Sequence, residues 1–507
     1  RLVGSEMCIR DSNSGQLSHT ITSLGGSSSF DNNTSLNASL VTDDHRAGLY
    51  IFGQNRYRSG YDYDGDGFTE LPKLKNQTVG FRSYLKTSTY SKLTFEYHHM
   101  QEFRRGGDML NRPPHEAHIA EQLQHSIDGG SLKFDYFSSD EKNRLSVFAS
   151  AANTDRDSYY GPGNDPLKAY GKTTDLTAMG GAQYVHTFDK CFFMPSDLTA
   201  GLEYNRDRLK DNMWGYNRHT DQTVNIYSAF LQNEWKNDRW GILIGGRLDK
   251  HNMVDNVIFS PRANLRFNPT QNINLRLSYS SGFRAPQAFD EDMHIENVGG
   301  TVAMIERAKD LKEEKSQSFS VSADMYHRFG AFQTNLLIEG FYTRLTDVFV
   351  LGEPYDRGDG ILVKTRSNGP GAKVMGLTLE GKVAYLSILQ IQAGLTLQRS
   401  RYDEPHKWHD DAPAEKKIFR TPDTYGYFTA TCTPIKPLSI ALSGTYTGRM
   451  LVQRMDITAE NAEQGEMPER KAEAIRTPRF FDLGVKLAYD FKLYKTVDLQ
   501  LNGGVQN

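Results

Sequence analysis

Residues 272–286 read Asn-Ile-Asn-Leu-Arg-Leu-Ser-Tyr-Ser-Ser-Gly-Phe-Arg-Ala-Pro, and their alternation decides the fold. Ile273, Leu275, Leu277 and Tyr279 fall on one face of an extended segment; Asn272, Asn274, Arg276, Ser278 and Ser280 fall on the other. A period of two is the mark of a strand with one apolar and one wet face. Pro286 lacks the N–H that a ladder needs, so the strand is expected to stop at Phe-Arg-Ala-Pro. A long polar stretch follows. Leu-Lys-Glu-Glu-Lys-Ser-Gln-Ser, residues 311–318, then leads into the next alternating run.

The same unit recurs along the chain. Leu132, Phe134 and Tyr136 oppose Ser131, Lys133 and Asp135; Trp240, Ile242, Ile244 and Leu248 oppose Arg239, Arg247 and Asp249. Leu377, Leu379, Val383 and Tyr385 oppose Thr378, Glu380 and Lys382, and Phe481 through Phe491 alternates against Asp482, Lys486 and Asp490. About twenty such strands fit, close to the upper range of single-chain membrane barrels. Connections come in two kinds. Lys236-Asn237-Asp238, 268–271 and Arg328-Phe329-Gly330 are short; 58–75, 102–124, 155–172, 285–312, 403–421 and 453–477 are long and polar. Short turns on one side and long loops on the other suit a barrel crossing a membrane, with function on the long side. Aromatic residues at strand ends (Tyr136, Phe137, Phe329, Phe341, Tyr342, Phe480, Phe481) suit girdles at two interfaces.

Composition narrows the function. The 507 residues are 38% hydrophobic with a net charge of −3, and no segment gathers the basic density that phosphate backbones require, so nucleic acid is not an expected partner. No apolar run approaches the roughly 20 residues of a membrane helix, which excludes helical membrane proteins and leaves barrels untouched. Cys8, Cys191 and Cys432 form no Cys-x-x-Cys, so neither a zinc site nor a disulfide framework is expected. Residues 1–12 have no apolar core of a signal peptide and read as adapter-like, non-native sequence, outside the fold. The alternating run at 497–507 reads as a strand cut short.

Several segments resemble the barrel of TonB-dependent outer-membrane receptors. They are Ser281–Pro286, the degenerate Asp-Leu-Lys-x-Glu-Lys-Ser at 310–316, Asn368–Gly376, Arg420-Thr421-Pro422 and Asp482–Tyr489. The resemblance covers 13–507 and implies an all-β, large antiparallel transmembrane barrel, with about 20 of an expected 22 strands present and the plug domain and energy-coupling box missing. It implies capture of a small metal chelate by extracellular loops and import driven by a TonB-type energy-transducing complex across outer-membrane lipid of a Gram-negative cell. Iron–siderophore complexes come first as substrate, then haem, then cobalamin. A passive porin-like or adhesin barrel, and a soluble β-rich carbohydrate enzyme, remain alternatives.

Two sets of residues stand out as ligand sites. Asp62, Asp64 and Asp66, with Gly67 after them and Glu70 at position 9, match the first half of a calcium loop, but Lys73 stands where a bidentate acid belongs. The expectation is a weak Ca2+ site in an extracellular loop, against a solvated acidic turn. His115, His118, His294, His406 and His409 lie in the long loops as candidate ligand contacts. Haem receptors of the resembled family carry an iron-ligating histidine between the two motifs, where His294 stands. Enzyme signatures fail: His115-Glu116-Ala117-His118 is one residue short of His-Glu-x-x-His, and no Gly-x-Ser-x-Gly occurs.

Overall fold

The computed structural model describes residues 13–162, 170–288, 293, 296–298, 301–358, 361–408, 412–458 and 469–507. The chain folds as a meander in which each long strand pairs antiparallel with the next. The main sheet has 22 members; Glu415–Lys417 is a three-residue piece beside Leu389–His406, which leaves 21 that cross. The strand read from sequence runs Ile273–Arg284 and ends one residue before Ala285-Pro286, as the missing proline N–H requires. Among the described residues, Ser14–Ser23 at one edge of the sheet pairs only with Phe30–Val41, and Val497–Gln506 at the other only with Phe480–Tyr494.

Register turns alternation into two continuous surfaces, because residues directly opposite in a ladder share a face. Leu265, Leu277, Val321, Leu377 and Leu397 belong to one such row and are all exposed. Leu275, Leu379 and Val485 also point outward, as expected. Arg276 lies on the opposite face opposite Arg266 and Ser322, and its Nε donates to Asn274 Oδ1 at 2.7 Å. Glu380 is paired with Lys382 at 2.9 Å on that same wet face. Exposed leucines outside and paired charges inside reverse the arrangement of a soluble protein, and lipid is the solvent that permits it.

The apolar band has a measurable height. Phe332 and Tyr385 pack as tilted rings 4.7 Å apart at one end of it, and Tyr279 and Phe319 likewise at 4.7 Å at the other. Phe319 and Phe329, like Tyr342 and Phe332, are separated by a run that rises ~25 Å at ~3.3 Å per residue and ~40° tilt. That equals the apolar band of an outer-membrane barrel. Phe341 does not join this girdle; paired with Ser320 and Gly376, it faces the lumen, and its ring lies where a Cβ on Gly376 would be.

Apart from 24–29, 214–217 and 252–257, the short connections lie at one end, ten of them with two to five residues each: 42–46, 89–90, 138–142, 192–193, 237–239, 271–272, 330–331, 386–388, 436–437 and 495–496. The long ones lie at the other. There, five successive strands, Ile119–Phe137 through Arg218–Lys236, run 19–22 residues, about twice what a bilayer needs. Their surplus stands as a wall above the membrane. Three of the long loops carry extra strands outside the main sheet, and the first two of them, 285–313 and 347–371, build one sheet together. Glu296–Val298, Thr301–Arg307, Leu362–Asn368 and Phe349–Asp356 form a four-stranded sheet, with the second and third of these parallel, and Leu451–Thr458 pairs with Glu469–Arg476.

Candidate functional site: the loop-covered mouth

The wall and the four-stranded sheet meet over a small apolar core. Ala117, Ala120, Tyr159, Tyr160, Met213, Tyr216, Met304 and Ile361 are buried together. Tyr159 packs edge-on against Tyr170 at 4.9 Å, and Tyr216 Oη donates to the Tyr160 carbonyl at 2.8 Å. Arg357 Nη2 donates to the Tyr216 carbonyl at 2.8 Å, tying the second loop to the wall. Hydrophobic burial above the membrane holds these loops in one arrangement.

Below that core the chain after Ile273–Arg284 turns inward and is held by polar groups of the wall. Asp211, fully buried, accepts from Arg218 Nη2 at 2.8 Å and from Thr173 Oγ1 at 2.7 Å. Arg156 Nε donates to that same Thr173 hydroxyl at 3.1 Å, and Arg218 reaches on to the Met293 carbonyl at 2.9 Å. Gln222 Oε1 accepts from the Ala288 N–H at 2.8 Å and from Arg307 Nη1 at 3.0 Å; Arg307 also holds the Pro286 carbonyl at 2.8 Å. His251, also fully buried, accepts from the Met253 N–H at Nδ1, so Nε2 carries the proton toward Gln287 Oε1 at 3.2 Å. Burial lowers its pKa, which agrees with that neutral tautomer. Phe-Arg-Ala-Pro therefore ends a strand and starts the segment that reaches across the mouth.

Next to this lock lies a pocket of about 260 Å³ lined by His125, Asp175, Asp207 and Gln287 among others. Asp175 and Asp207 sit beyond the ~10 residues per strand that cross the bilayer. Burial, and then the neighbouring Asp207 carboxylate, push Asp175 up to about 6. Two close carboxylates cannot both ionise cheaply, and one proton between them is the expected state in mild acid.

The residues expected from sequence divide. His294 and His409 lie outside the described residues. His115 lies inside a short turn, Pro114–Glu116, and His118 two residues after it. His115 Nδ1 is 2.9 Å from Tyr170 Oη, and the exposed His118 binds Asp108 through Nδ1 at 2.6 Å. Burial pushes Asp108 up, but His118 and the Ile119 N–H outweigh it and hold the carboxyl below its usual range. His406, expected in a loop, is instead the last residue of the strand Leu389–His406, opposite Glu415, and burial lowers its pKa against the pull of Glu353. Among the described residues, one group of three or more metal-ligating side chains is gathered: Asp62, Asp64, Asp66 and Glu70, with ligand atoms within 4.8 Å of one another. Asp62 accepts from the Gly65 and Gly67 N–H groups at 2.7 and 2.9 Å, and both glycines have positive φ (80° and 93°), which lets the loop curl around its carboxylates.

A family model described as TonB dependent receptor-like, beta-barrel matches residues 9–507. The chain belongs to that family. Among solved structures, this TonB-dependent receptor barrel is similar to the siderophore receptor PirA from Acinetobacter baumannii, with TM-score 0.74 and 14% identity over 97% of this chain and 76% of that one. It is similar to the ferric enterobactin receptor PfeA from Pseudomonas aeruginosa, in a variant complexed with enterobactin (TM-score 0.72, 15% identity, 96% and 75% covered). It is also similar to the ferric-catecholate import receptor Fiu from Escherichia coli (TM-score 0.68, 12% identity, 97% and 77% covered). No curated protein sequence matches. The receptor is a transporter-family barrel and not an enzyme.

Sequence reasoning missed the residues that build the mouth: Arg156, Asp211, Arg218, Gln222, Arg307 and the Asp175–Asp207 pair. A signal was present. Arg206-Asp207-Arg208-Leu209-Lys210-Asp211 has charges at successive positions where an ordinary crossing strand would alternate, which marks a strand that has left the membrane.

Proposed function

We propose that this barrel imports a ferric siderophore across the outer membrane, capturing it at the loop-covered mouth and drawing energy from a TonB-type complex. The observation that carries the reading is the likeness of the whole chain to receptors for iron–siderophore chelates, with every long connection at one end. Trp214 and Trp408 lie at that end, and Trp235 and Trp240 beside short turns at the other, so ligand capture has a built-in reporter. Titration of the purified receptor with ferric enterobactin should quench fluorescence saturably, and a Trp214→Phe/Trp408→Phe variant should lose the quench. Haemin or cyanocobalamin quenching more tightly than any ferric catecholate would refute the substrate class. Cells dependent on this receptor should accumulate the chelate only while the proton-motive force stands; accumulation without it would favour a passive pore.

The same reading takes the Asp62–Glu70 loop as a calcium site at the extracellular rim. Among the described residues no lysine or arginine pairs with its four carboxylates, and a divalent cation would offset their mutual repulsion. Without the bidentate acid at the final position, affinity belongs in the millimolar range of extracellular modules, ~10⁻⁴–10⁻³ M.

A further inference from the structure

We propose that the outer wall of the barrel carries a binding site for an anionic, phosphorylated lipid of the outer leaflet, centred on Gly340 and topped by Arg399 and Arg401. The site begins as a gap in the lipid-facing surface. In the exposed row Leu277–Val321–Gly340–Leu377–Leu397, position 340 has no side chain, and a Cβ there would meet only Val321 Cγ1, at 3.6 Å. Phe319 and Tyr342 wall the upper side. The result is a largely apolar groove of about 710 Å³ that includes Met375 and ends at Arg399, with Thr424 and the Lys417-paired Asp423 also at its polar end. It lies within the apolar band, directly under the Tyr279–Phe319–Tyr342 girdle, where an acyl chain runs.

The charges above the groove say which lipid. Arg344 is opposite Lys373, Lys373 opposite Arg401, and Arg401 opposite Lys417, so four cations occupy one row of the outer face. Like charges directly opposite in a ladder repel. Asp403 pairs with Arg344 at 2.7 Å and with Lys373 at 3.6 Å, and Asp423 pairs with Lys417 at 2.6 Å. Among the described residues Arg401 has no acidic partner, and neither has Arg399, one pair below it; both are exposed. Arg399 is opposite Met375 in the girdle row, so these guanidiniums stand at head-group depth. Arginine presents a planar fork that binds phosphate in a bidentate manner. A zwitterionic head group leaves the row's repulsion in place, whereas a phosphorylated glycolipid relieves it while its chains fill the groove.

The test places the purified chain, an Arg399→Gln/Arg401→Gln double variant and a Gly340→Leu variant in nanodiscs of phosphatidylcholine with or without lipid A. Lipid retained after transfer to detergent is measured by mass spectrometry, and heat-modifiable gel mobility reports that each barrel is folded. Both variants should retain lipid A about tenfold less than the parent, with phosphatidylcholine unchanged. Millimolar inorganic phosphate should not displace the lipid, because it cannot fill the groove. Equal retention of lipid A by the parent and a folded variant, or displacement by phosphate alone, overturns the proposal. So does a protein captured at position 340 by site-specific crosslinking in place of lipid. Should the double variant fail to fold, Gly340→Leu decides alone.

Discussion

Leu379 and Thr378 are neighbours in sequence and stand at the same height on opposite faces of one strand, so arginine at each separates lipid from lumen. Leu379 is opposite Ile338 and Leu395, with 38% of its surface exposed, on the apolar face. Met375 in the outer girdle row is four residues above it on the same strand, ~10 Å at strand rise and tilt, which puts Leu379 close to the middle of the ~25 Å band. Leu379→Arg should therefore cost ~3 kcal/mol. Thr378 faces the lumen and shares a hydroxyl bond of 3.0 Å with Thr396. Thr378→Arg loses that bond, worth ~1 kcal/mol, and sets its charge in water. The difference, ~2 kcal/mol, is ~30-fold in the folding equilibrium. Urea titration of the barrel in lipid vesicles, read by heat-modifiable mobility, measures both. Equal costs, or a larger cost at Thr378, would refute the assignment of the two faces and with it the membrane reading.

Other consequences follow from the mouth. Asp211→Ala removes the carboxylate between Arg156 and Arg218 and should destabilise the inward segment by ~3 kcal/mol, seen as faster proteolysis after Pro286 with the membrane band intact. Asp175 has its pKa raised from 3.8 to about 6, so the folded mouth binds more protons than the unfolded chain between those values; stability of this region should fall as pH rises through 6. Asp175→Asn should flatten that dependence and protect the amides of residues 287–288 at pH 7 in hydrogen exchange; an unchanged profile would remove the acid pair from the lock. Calcium at millimolar concentration should slow protease cleavage within 58–75, and Asp62→Asn or Asp66→Asn should abolish the effect, because ligand charge sets affinity. Cleavage indifferent to calcium in the parent leaves only an acidic turn.

The barrel was legible in sequence because its information is local: Leu275, Leu277 and Tyr279 announce the strand without knowledge of any other residue, and lipid imposes the same period on every crossing. Even the loop asymmetry could be read, since a two-residue turn such as 271–272 needs no partner. The acidic loop was legible for the same reason, its four carboxylates lying within one turn of chain. The mouth was not, because its contacts are far apart in the chain. Arg156 meets Met293, and Gln222 meets Arg307, only after five strands have stood up and the chain past Pro286 has folded back over them. Histidines looked like the site because imidazole is recognisable as a ligand in isolation, yet His115 and His118 are engaged by Tyr170 and Asp108. Arginines and acids on a lumen face read as ordinary wet-side alternation until register shows which of them lack a partner. The unpaired arginines on the outer wall follow the same logic in reverse: Arg399 and Arg401 break an apolar face at its upper edge, and only the ladder, by setting Lys373 and Lys417 on either side of Arg401, turns two exposed cations into a site that calls for an anion.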